Sequence, residues 1–358
     1  MAAADAERSS PHPNPLPLGE GAGSQGAEEG AIHCAPTGSV GAQFIAPAGD
    51  IAPATGEGEP TDVRTDLGQV EYLAIGHVAV DLFEKRYILG GSASYAALTA
   101  RKLGLQVGVL TSADFEPLIV DTLIGRDQMR EPATPIRVLR VPTQSTTSYI
   151  NEYDQNGRTQ YLLGRAADLL PVHVPDEWKS APVVHLAPLA QEIDPGLLDT
   201  FPGSMLVITP QGWMRGWEED GKIFPVQWDH AEVALARADV VIFSTDDVPI
   251  PSLVARYAEQ AKLMVVTENR RGCLVYERGK APWRSHAFRP AREIDPTGAG
   301  DVFASSFATQ YHRTGNPRAS ADFANAAASF VLEKRAWQGI PTPEAIADRL
   351  KRGKRRGA

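Results

Sequence analysis

Near-continuous apolar runs alternate with amphipathic segments from residue 70 onward in this 358-residue chain. Such runs are typical of strands buried on both faces of a parallel sheet, and the amphipathic segments between them predict covering helices. The predicted strands are residues 70–75, 107–111, 182–187, 205–209, 239–244, 263–267 and 273–276. The predicted helices are residues 93–103, 229–238, 251–261 and 318–334, with a helix-like segment at 195–200. The alternation predicts an α/β fold, with helices on both faces of a mostly parallel central sheet.

A different pattern occupies residues 135–164. The run 136–141 is strand-like, and the runs 146–153 and 159–163 flank Asn156-Gly157. Asn-Gly between strand-like runs is a strong signal for a β-hairpin. We expect this hairpin at the margin of the main sheet.

Two amphipathic helices are predicted near the C-terminus. Phe303, Phe307 and Tyr311 repeat at four-residue spacing, which predicts one buried face on a helix that follows residue 301. The second helix has one apolar stripe, formed by Phe323, Ala326, Ala327, Phe330 and Val331. Both helices are therefore expected to pack against the core.

The first of these helices begins at a turn of very small residues, Gly298, Ala299 and Gly300. Backbone N–H groups in a first helical turn lack intrahelical acceptors, so an anion can approach them and the positive end of the helix dipole. Asp301 adds a carboxylate, which suits a proton acceptor better than an anion ligand. The pair suggests phosphoryl transfer to a hydroxyl group. On spacing alone, an ordinary turn followed by a helix-start acid explains the same residues.

Asp81 and the pair Gly90-Gly91 follow the first predicted strand. Ligands of open α/β sheets collect outside the carboxyl ends of the strands, so these residues can reach the same edge as Asp301. A carboxylate there can accept hydrogen bonds from a polyol, and glycines let the backbone approach a ring. A loop acid and a plain turn are the alternatives.

The string Asp-Pro-Thr-Gly-Ala-Gly-Asp at 295–301 resembles the C-terminal signature of the ribokinase-like (PfkB-type) carbohydrate kinases. Asp81 and the segment 90–94 match the family's first signature, and the likeness spans about residues 70–345. It implies a ribokinase-like three-layer fold with a reduced β lid. It also implies that Asp301 is the general base and that the amides of residues 298–300 stabilise the transferring phosphoryl group. Asp81, Gly90, Gly91 and Ser94 would bind the acceptor.

The resemblance also implies ATP and Mg²⁺ as cofactors, although several positions depart from the family pattern. Tyr95 stands where many members carry Asn, and Asp247 stands in place of the Glu linked to magnesium. The expected nucleotide-binding residues are Thr267, Asn269, Gly272, Thr297 and Asn325. For Asn325, a surface position on its helix is an equal alternative.

The eight residues between Asp81 and Gly90 are too few for the β-hairpin lid that many members insert there. We therefore expect residues 144–164 to serve as a reduced lid, and a monomer or a dimer that does not use the lid. The short lid, the aromatic Tyr95 and the 295–301 string together resemble inositol-kinase-like members.

Composition sets the domain limits. Residues 1–68 contain ten acidic and two basic residues, which leaves the rest of the chain nearly neutral despite a net charge of −9. We expect a disordered, low-complexity tail over 1–66, a kinase domain over 67–346 and a basic, solvated tail over 347–358.

The nearly neutral folded part argues against nucleic-acid binding, and no apolar run is long enough to cross a membrane. With only Cys34 and Cys273, a reducing cytoplasm fits.

The leading hypothesis is therefore an ATP- and Mg²⁺-dependent kinase that phosphorylates a hydroxyl group of a small sugar, cyclitol or nucleoside. The alternative is a non-catalytic sugar- or nucleotide-binding module on the same fold. A nicotinamide oxidoreductase would rest only on Gly-x-Gly-x-x-Gly at 21–26, where neither a preceding strand nor a following helix is predicted.

Overall fold

The computed structural model describes residues 67–83, 86–114, 123, 136–154 and 157–357. The chain divides into two units, residues 1–61 and 62–358, and every described residue belongs to the second. The tail predicted over residues 1–66 lies outside the described residues.

Strands and helices alternate through the described ranges. The strands are β1 (Tyr72–Ile75), β2 (Ala79–Phe83), β3 (Arg86–Gly90), β4 (Val107–Ser112), β5 (Arg137–Val141), β6 (Thr147–Asp154), β7 (Gly157–Gly164), β8 (Val183–Leu186), β9 (Met205–Ile208), β10 (Arg215–Trp217), β11 (Ile223–Pro225), β12 (Val240–Ser244), β13 (Leu263–Thr267), β14 (Cys273–Glu277) and β15 (Trp283–Ser285). The α-helices are α1 (Ser92–Lys102), α2 (Ala231–Arg237), α3 (Ser252–Gln260), α4 (Ala299–Thr314), α5 (Pro317–Val331) and α6 (Pro343–Arg352). Short 3₁₀ helices lie at Pro171–His173, Asp176–Trp178, Pro195–Asp199, Pro210–Met214, Asn269–Arg271 and Ala336–Gly339.

The main sheet has the strand order β15-β14-β13-β12-β9-β8-β1-β4-β5 among the described residues. Its strands from β13 to β5 pair in parallel, and β14 runs opposite to them, paired antiparallel with both β13 and β15. β1 lies inside the sheet, where Tyr72 pairs with Val107 on one side and Val183 on the other. The predicted mostly parallel sheet is therefore found.

The two faces of the sheet belong to two hydrophobic cores. Leu73 and Ile75 of β1 pack in one core, whereas Tyr72 and Ala74 pack in the other, as the strand period of two requires. The first core takes residues from α2 and α3, and the second takes residues from α1 and α4. Helices thus cover both faces, which explains why the buried strands read as continuous apolar runs.

Helices α1, α4 and α5 form the layer on which the site depends. The predicted stripe of α4 is buried, with Phe303 and Phe307 stacked at 6.3 Å between ring centroids. The buried Ser305 hydroxyl donates to the Ala96 carbonyl at 2.9 Å, which fixes α4 to α1. Because Ser305 lies in the second turn of α4, this bond holds the N-terminal end of the helix against α1.

A second sheet, with strand order β3-β2-β6-β7, corrects two predictions about the lid. The Asn-Gly hairpin forms as β6 and β7, but it pairs with β2 and not with the margin of the main sheet. The short segment between Asp81 and Gly90 does build a hairpin, with Asp81 of β2 opposite Ile88 of β3. The lid is therefore four-stranded. Five-residue strands suffice for one hairpin, which gains stability from pairing with β6.

The basic C-terminus also differs from its prediction, because residues 347–357 are part of the fold. Helix α6 includes 347–352, and the Arg356 N–H then donates to the Ala287 carbonyl at 2.8 Å. The Arg355 guanidinium pairs with both oxygens of Asp322 at 2.9 Å and lies 4.5 Å from the Phe288 ring centroid. The basic composition predicted a solvated segment, but its arginines pair with specific residues of the fold.

We predict that Arg355→Ala lowers the free energy of unfolding by about 1–2 kcal/mol, because it removes two hydrogen bonds to a carboxylate and the contact with Phe288. Arg352→Ala is the matched control, since its ion pair with Asp348 is exposed and within one helix. Urea unfolding of both variants checks this, and equal stabilities would show that the segment contributes nothing.

Candidate active site

A cleft of about 1030 Å³ lies where the lid sheet, the ends of β12 and β13, and the start of α4 meet. Twelve of the residues predicted from the sequence line it: Asp81, Gly91, Asp247, Thr267, Asn269, Gly272, Thr297, Gly298, Ala299, Gly300, Asp301 and Asn325. Residues separated by more than 200 positions in sequence thus share one cavity. Two predicted residues, Gly90 and Ser94, do not line it.

Asp81 enters the cleft from the lid, and its carboxylate packs directly on the backbone of Gly90. A Cβ at Gly90 would lie 2.5 Å from Asp81 Oδ2, so no larger residue fits without moving the carboxylate. Gly91 has φ +88° at the start of α1, where a Cβ would lie 2.6 Å from the His77 carbonyl oxygen. The glycine pair therefore places Asp81 and the first turn of α1 close together.

Ser94 was expected at the acceptor, but its side chain is only 1% exposed and points away from the cleft lining. Its hydroxyl has no hydrogen-bond partner among the described residues. Ser92, two residues earlier, lines the cleft instead. Residues two apart on a helix lie on different faces, so the family string alone could not assign the serine.

The turn before α4 is held by its own acid, Asp295. One Asp295 oxygen accepts from the Thr297 N–H at 2.9 Å, and the other accepts from the Ala336 N–H at 3.1 Å. Asp295 therefore shapes the turn. The Ala299 N–H donates to the Pro296 carbonyl at 3.2 Å, so its hydrogen atom is already used.

Of the three amides predicted to receive an anion, those of Gly298 and Gly300 remain the better candidates. No acceptor is recorded for either N–H in the part of the chain that the structure describes. Gly298 is the N-cap of α4, with φ +79° in the left-handed region. The turn therefore presents its donors in a conformation that favours glycine strongly.

Tyr95 forms the floor of the cleft, and its ring packs against Gly298. A Cβ on Gly298 would lie 2.1 Å from Tyr95 Cε1. Burial raises the pKa of the Tyr95 phenol, and the negative charges of Asp301, Asp81 and Asp295 raise it further. The phenol therefore stays protonated, near the carboxylates of both the lid and α4. The sequence showed this departure from the family pattern but not the contact with Gly298.

The opposite end of the cleft is built from the ends of β12 and β13. Asn269 bridges the two following loops, because its amide donates to Asp246 Oδ2 at 3.1 Å. Gly272 has φ +92°, and a Cβ there would lie 2.1 Å from the Ser285 carbonyl oxygen. Thr267 ends β13 beside Ser244. These residues form a wall whose backbone is exposed to a ligand in the cleft.

Asn325 is buried, which excludes the alternative of a surface position. Its amide nitrogen donates to the Ser285 hydroxyl at 2.9 Å and lies 3.7 Å from the Cys273 sulfur. The Ser285 hydroxyl in turn donates to Asp322 at 2.6 Å. Asn325 therefore joins α5 to β14 and β15 at the edge of the cleft.

Asp247 has the hydrogen bonds of a structural acid, and it also lines the cleft. Its oxygens accept from the Ser244 N–H at 2.8 Å and from the Gln211 amide at 2.9 Å. Burial raises the pKa of its carboxyl group. No cluster of three or more potential ligands occurs among the described residues. A single carboxylate still fits Mg²⁺, which keeps several waters and is often bound through one or two carboxylates and substrate phosphates.

Sequence reasoning missed several polar residues of the cleft. Arg215, from the β10–β11 hairpin, donates to the Leu189 carbonyl at 3.3 Å, and its guanidinium carbon lies 5.9 Å from the Tyr149 ring centroid. Gln160 of the lid and Gln211 also line the cleft. None lies in a motif, and only the fold brings them together. Arg270, Glu293 and Arg356 line the cleft as well.

Comparison with known proteins finds related kinases. Residues 239–344 match the model of the pfkB family carbohydrate kinases. A cytidine kinase from Thermococcus kodakarensis is 24% identical over 68% of this chain and 89% of its own length. An inositol 3-kinase from Zea mays is 24% identical over 62% of this chain and 59% of its own length.

Solved structures of the ribokinase family have the same fold. A variant of a pyrophosphate-dependent myo-inositol-1 kinase superposes with a TM-score of 0.63, at 20% identity, over 78% of this chain and 99% of its own. Arabidopsis thaliana ribokinase with ribose and ATP gives a TM-score of 0.61, at 17% identity, over 79% and 99%. The predicted ribokinase-like fold and family resemblance are confirmed, and the named relatives agree with the predicted phosphotransferase class. No described helix has the length and hydropathy needed to span a bilayer.

We predict that Gly298→Ala lowers the free energy of unfolding by about 3 kcal/mol, because the methyl group meets the Tyr95 ring and the left-handed backbone becomes strained. Gly300→Ala is the matched control, since its Cβ meets nothing within 4 Å and it lies in a helical turn. Thermal and urea unfolding measure both. In a Tyr95→Ala background, Gly298→Ala should cost less than it does in the wild type, since the ring that the methyl group meets is gone. Equal effects of the two glycine substitutions would contradict the packing argument.

Proposed function

We propose that this chain, whose resemblance to the pfkB family carbohydrate kinases is confirmed, transfers the γ-phosphoryl group of ATP to a hydroxyl group of a small sugar, cyclitol or nucleoside. The observation that carries the proposal is the shared cleft of Asp81 and Asp301. One carboxylate comes from the lid and the other from the first turn of α4, beside exposed backbone amides.

Asp301 accepts the proton of the acceptor hydroxyl in this mechanism. The hydroxyl oxygen forms a bond to the γ-phosphorus as the bond from that phosphorus to the bridging oxygen of ADP breaks. Phosphoryl transfer needs charge stabilisation more than covalent chemistry, and the Gly298 and Gly300 amides with the α4 dipole supply it. Asp301 lies in the same helical turn, so the base and these donors are fixed relative to each other.

Asp81 holds the acceptor. Its carboxylate can accept hydrogen bonds from two hydroxyl groups of a polyol, and its position on Gly90 leaves little freedom to move. The Tyr95 phenol, kept protonated beside Asp301, can donate without competing for the proton that the base receives. Lid residues Tyr149 and Gln160 line the same end of the cleft, where a bound acceptor would be separated from water.

The donor end supports a nucleotide. Thr267, Gly272 and Asn325 line one wall, and Gly272 lets the backbone at Ser285 pack closely behind that wall. Mg²⁺, when bound with the donor, would neutralise phosphate charge, and Asp247 would hold it through its remaining lone pairs or a water molecule. A pyrophosphate-dependent neighbour in the family makes inorganic pyrophosphate the second candidate donor.

We predict that Asp301→Asn lowers kcat by about 10²–10⁴-fold on the best acceptor, since it removes the proton acceptor and leaves the cleft intact. ADP or phosphate release is measured over a panel of polyols, cyclitols and nucleosides, once with ATP and once with pyrophosphate. Asp176→Asn, an exposed acid outside the cleft, is the control. An Asp301→Asn variant with the wild-type rate would overturn the assigned base. Ligand-induced melting shifts without turnover on either donor would favour a non-catalytic binding module.

We predict that Asp81→Asn raises the KM for the acceptor by about 10–100-fold, because hydrogen bonds to a charged group are replaced by weaker ones. The KM for ATP should stay the same, since Asp81 faces the acceptor end. Steady-state kinetics with each substrate varied separately tests the split. A rise in the KM for ATP alone would contradict the assignment of Asp81 to the acceptor.

A further inference from the structure

Two arginines from distant parts of the chain share one carboxylate at the rim of the cleft. Glu293 Oε2 pairs with the Arg270 guanidinium at 2.5 Å, and Glu293 Oε1 accepts a hydrogen bond from Arg356. Arg270 belongs to the loop after β13, and Glu293 lies five residues before Gly298. All three residues line the cleft.

Arg356 is held at this rim by the backbone that precedes it. The segment 353–357 lies alongside residues 286–289, with the Arg289 N–H donating to the Lys354 carbonyl at 2.8 Å and the Arg356 N–H donating to Ala287. Arg355 anchors the segment through Asp322. The C-terminal segment is therefore a wall of the same end of the cleft as Gly272 and Asn325.

Positive charge exceeds negative charge in the ion pairs around this wall. Five arginines share three carboxylates: Arg270 and Arg356 pair with Glu293, Arg271 and Arg284 with Glu268, and Arg355 with Asp322. Guanidinium groups in such a local excess attract anions. Of these five arginines, Arg270 and Arg356 line the cleft, so they are the two that a ligand in the cleft can reach.

The Arg270–Glu293–Arg356 bridge is also easily exchanged. The Arg270 side chain is 73% exposed, that of Glu293 36% and that of Arg356 25%, and ion pairs at a protein surface stabilise a fold by only about 0–1 kcal/mol. A planar guanidinium binds phosphate through two parallel hydrogen bonds at least as well as it binds a carboxylate. A multiply charged phosphate chain can therefore replace Glu293 at little cost.

We propose that Arg270 and Arg356 form a clamp for the phosphate chain of the donor, in which Glu293 holds both guanidinium groups until phosphate oxygens replace its carboxylate. The inference rests on the proposed kinase function and makes the C-terminal segment part of the donor site. The ligand chemistry is a polyphosphate anion, supplied by a nucleoside triphosphate or by inorganic pyrophosphate.

Calorimetric titration of the full chain tests the clamp without requiring turnover. Arg356→Ala and Arg270→Ala should each weaken ATP binding by about 10–100-fold, the loss expected for a hydrogen bond between charged groups. Binding of adenosine should stay the same, because it carries no phosphate. Glu293→Gln should tighten ATP binding, since it releases both guanidinium groups. Arg352→Ala, an arginine of the same C-terminal region in an exposed ion pair, is the matched control and should bind as wild type.

Titration with pyrophosphate in parallel distinguishes failure of the clamp from failure of ATP as the donor. If wild type binds pyrophosphate and not ATP, and the arginine variants no longer bind pyrophosphate, the clamp is supported and ATP is not the donor. If the arginine variants bind both anions like wild type, or lose adenosine and ATP equally, the clamp is wrong. If wild type binds neither anion, the clamp is also wrong. Melting curves confirm that each variant is folded, and Arg356→Lys, which keeps the charge without the planar fork, should lie between wild type and Arg356→Ala.

Discussion

The contact between the Tyr95 ring and the Gly298 backbone is the constraint on which the site depends. It fixes the left-handed residue at which the chain turns into α4 and thereby sets the direction of the first-turn amides. The Ser305–Ala96 hydrogen bond holds α4 against α1, and Phe303 and Phe307 of α4 are buried in the core that they share with α1. Because α1 itself begins at Gly91, the acceptor end and the α4 amides are coupled through one packed pair of helices.

Two sheets with different roles meet at this pair of helices. The main sheet is buried on both faces, so it is rigid and brings the ends of β12 and β13 to the cleft. The small lid sheet has fewer buried contacts and contributes Asp81. In the proposed function, a rigid donor wall is combined with an acceptor residue on a smaller sheet, which suits an enzyme that must admit and release a substrate.

Much of this arrangement was accessible from the sequence, and what was missed has physical causes. Uninterrupted apolar runs identified the strands of the parallel sheet, and the 295–301 string identified the α4 turn, because both depend on local pattern. The β2–β3 hairpin escaped prediction because its stability comes from pairing with β6, far along the chain. Ser94 was expected at the acceptor, and the position of Asn325 was left open. The face of a helix that a residue occupies depends on the elements that pack against the helix, which the local sequence does not reveal. The basic C-terminus was misjudged because composition cannot reveal the pairing of Arg355 with Asp322.

The central claim is that one cleft brings the acceptor hydroxyl to Asp301 and the donor phosphates to the start of α4. A crystal structure with a non-hydrolysable ATP analogue and the best acceptor measures this directly. We expect an Asp301 oxygen within about 3.2 Å of the reactive hydroxyl, and the terminal phosphate within hydrogen-bond distance of the Gly298 and Gly300 amides. An acceptor bound away from Asp301, or a terminal phosphate that contacts neither amide, would contradict it.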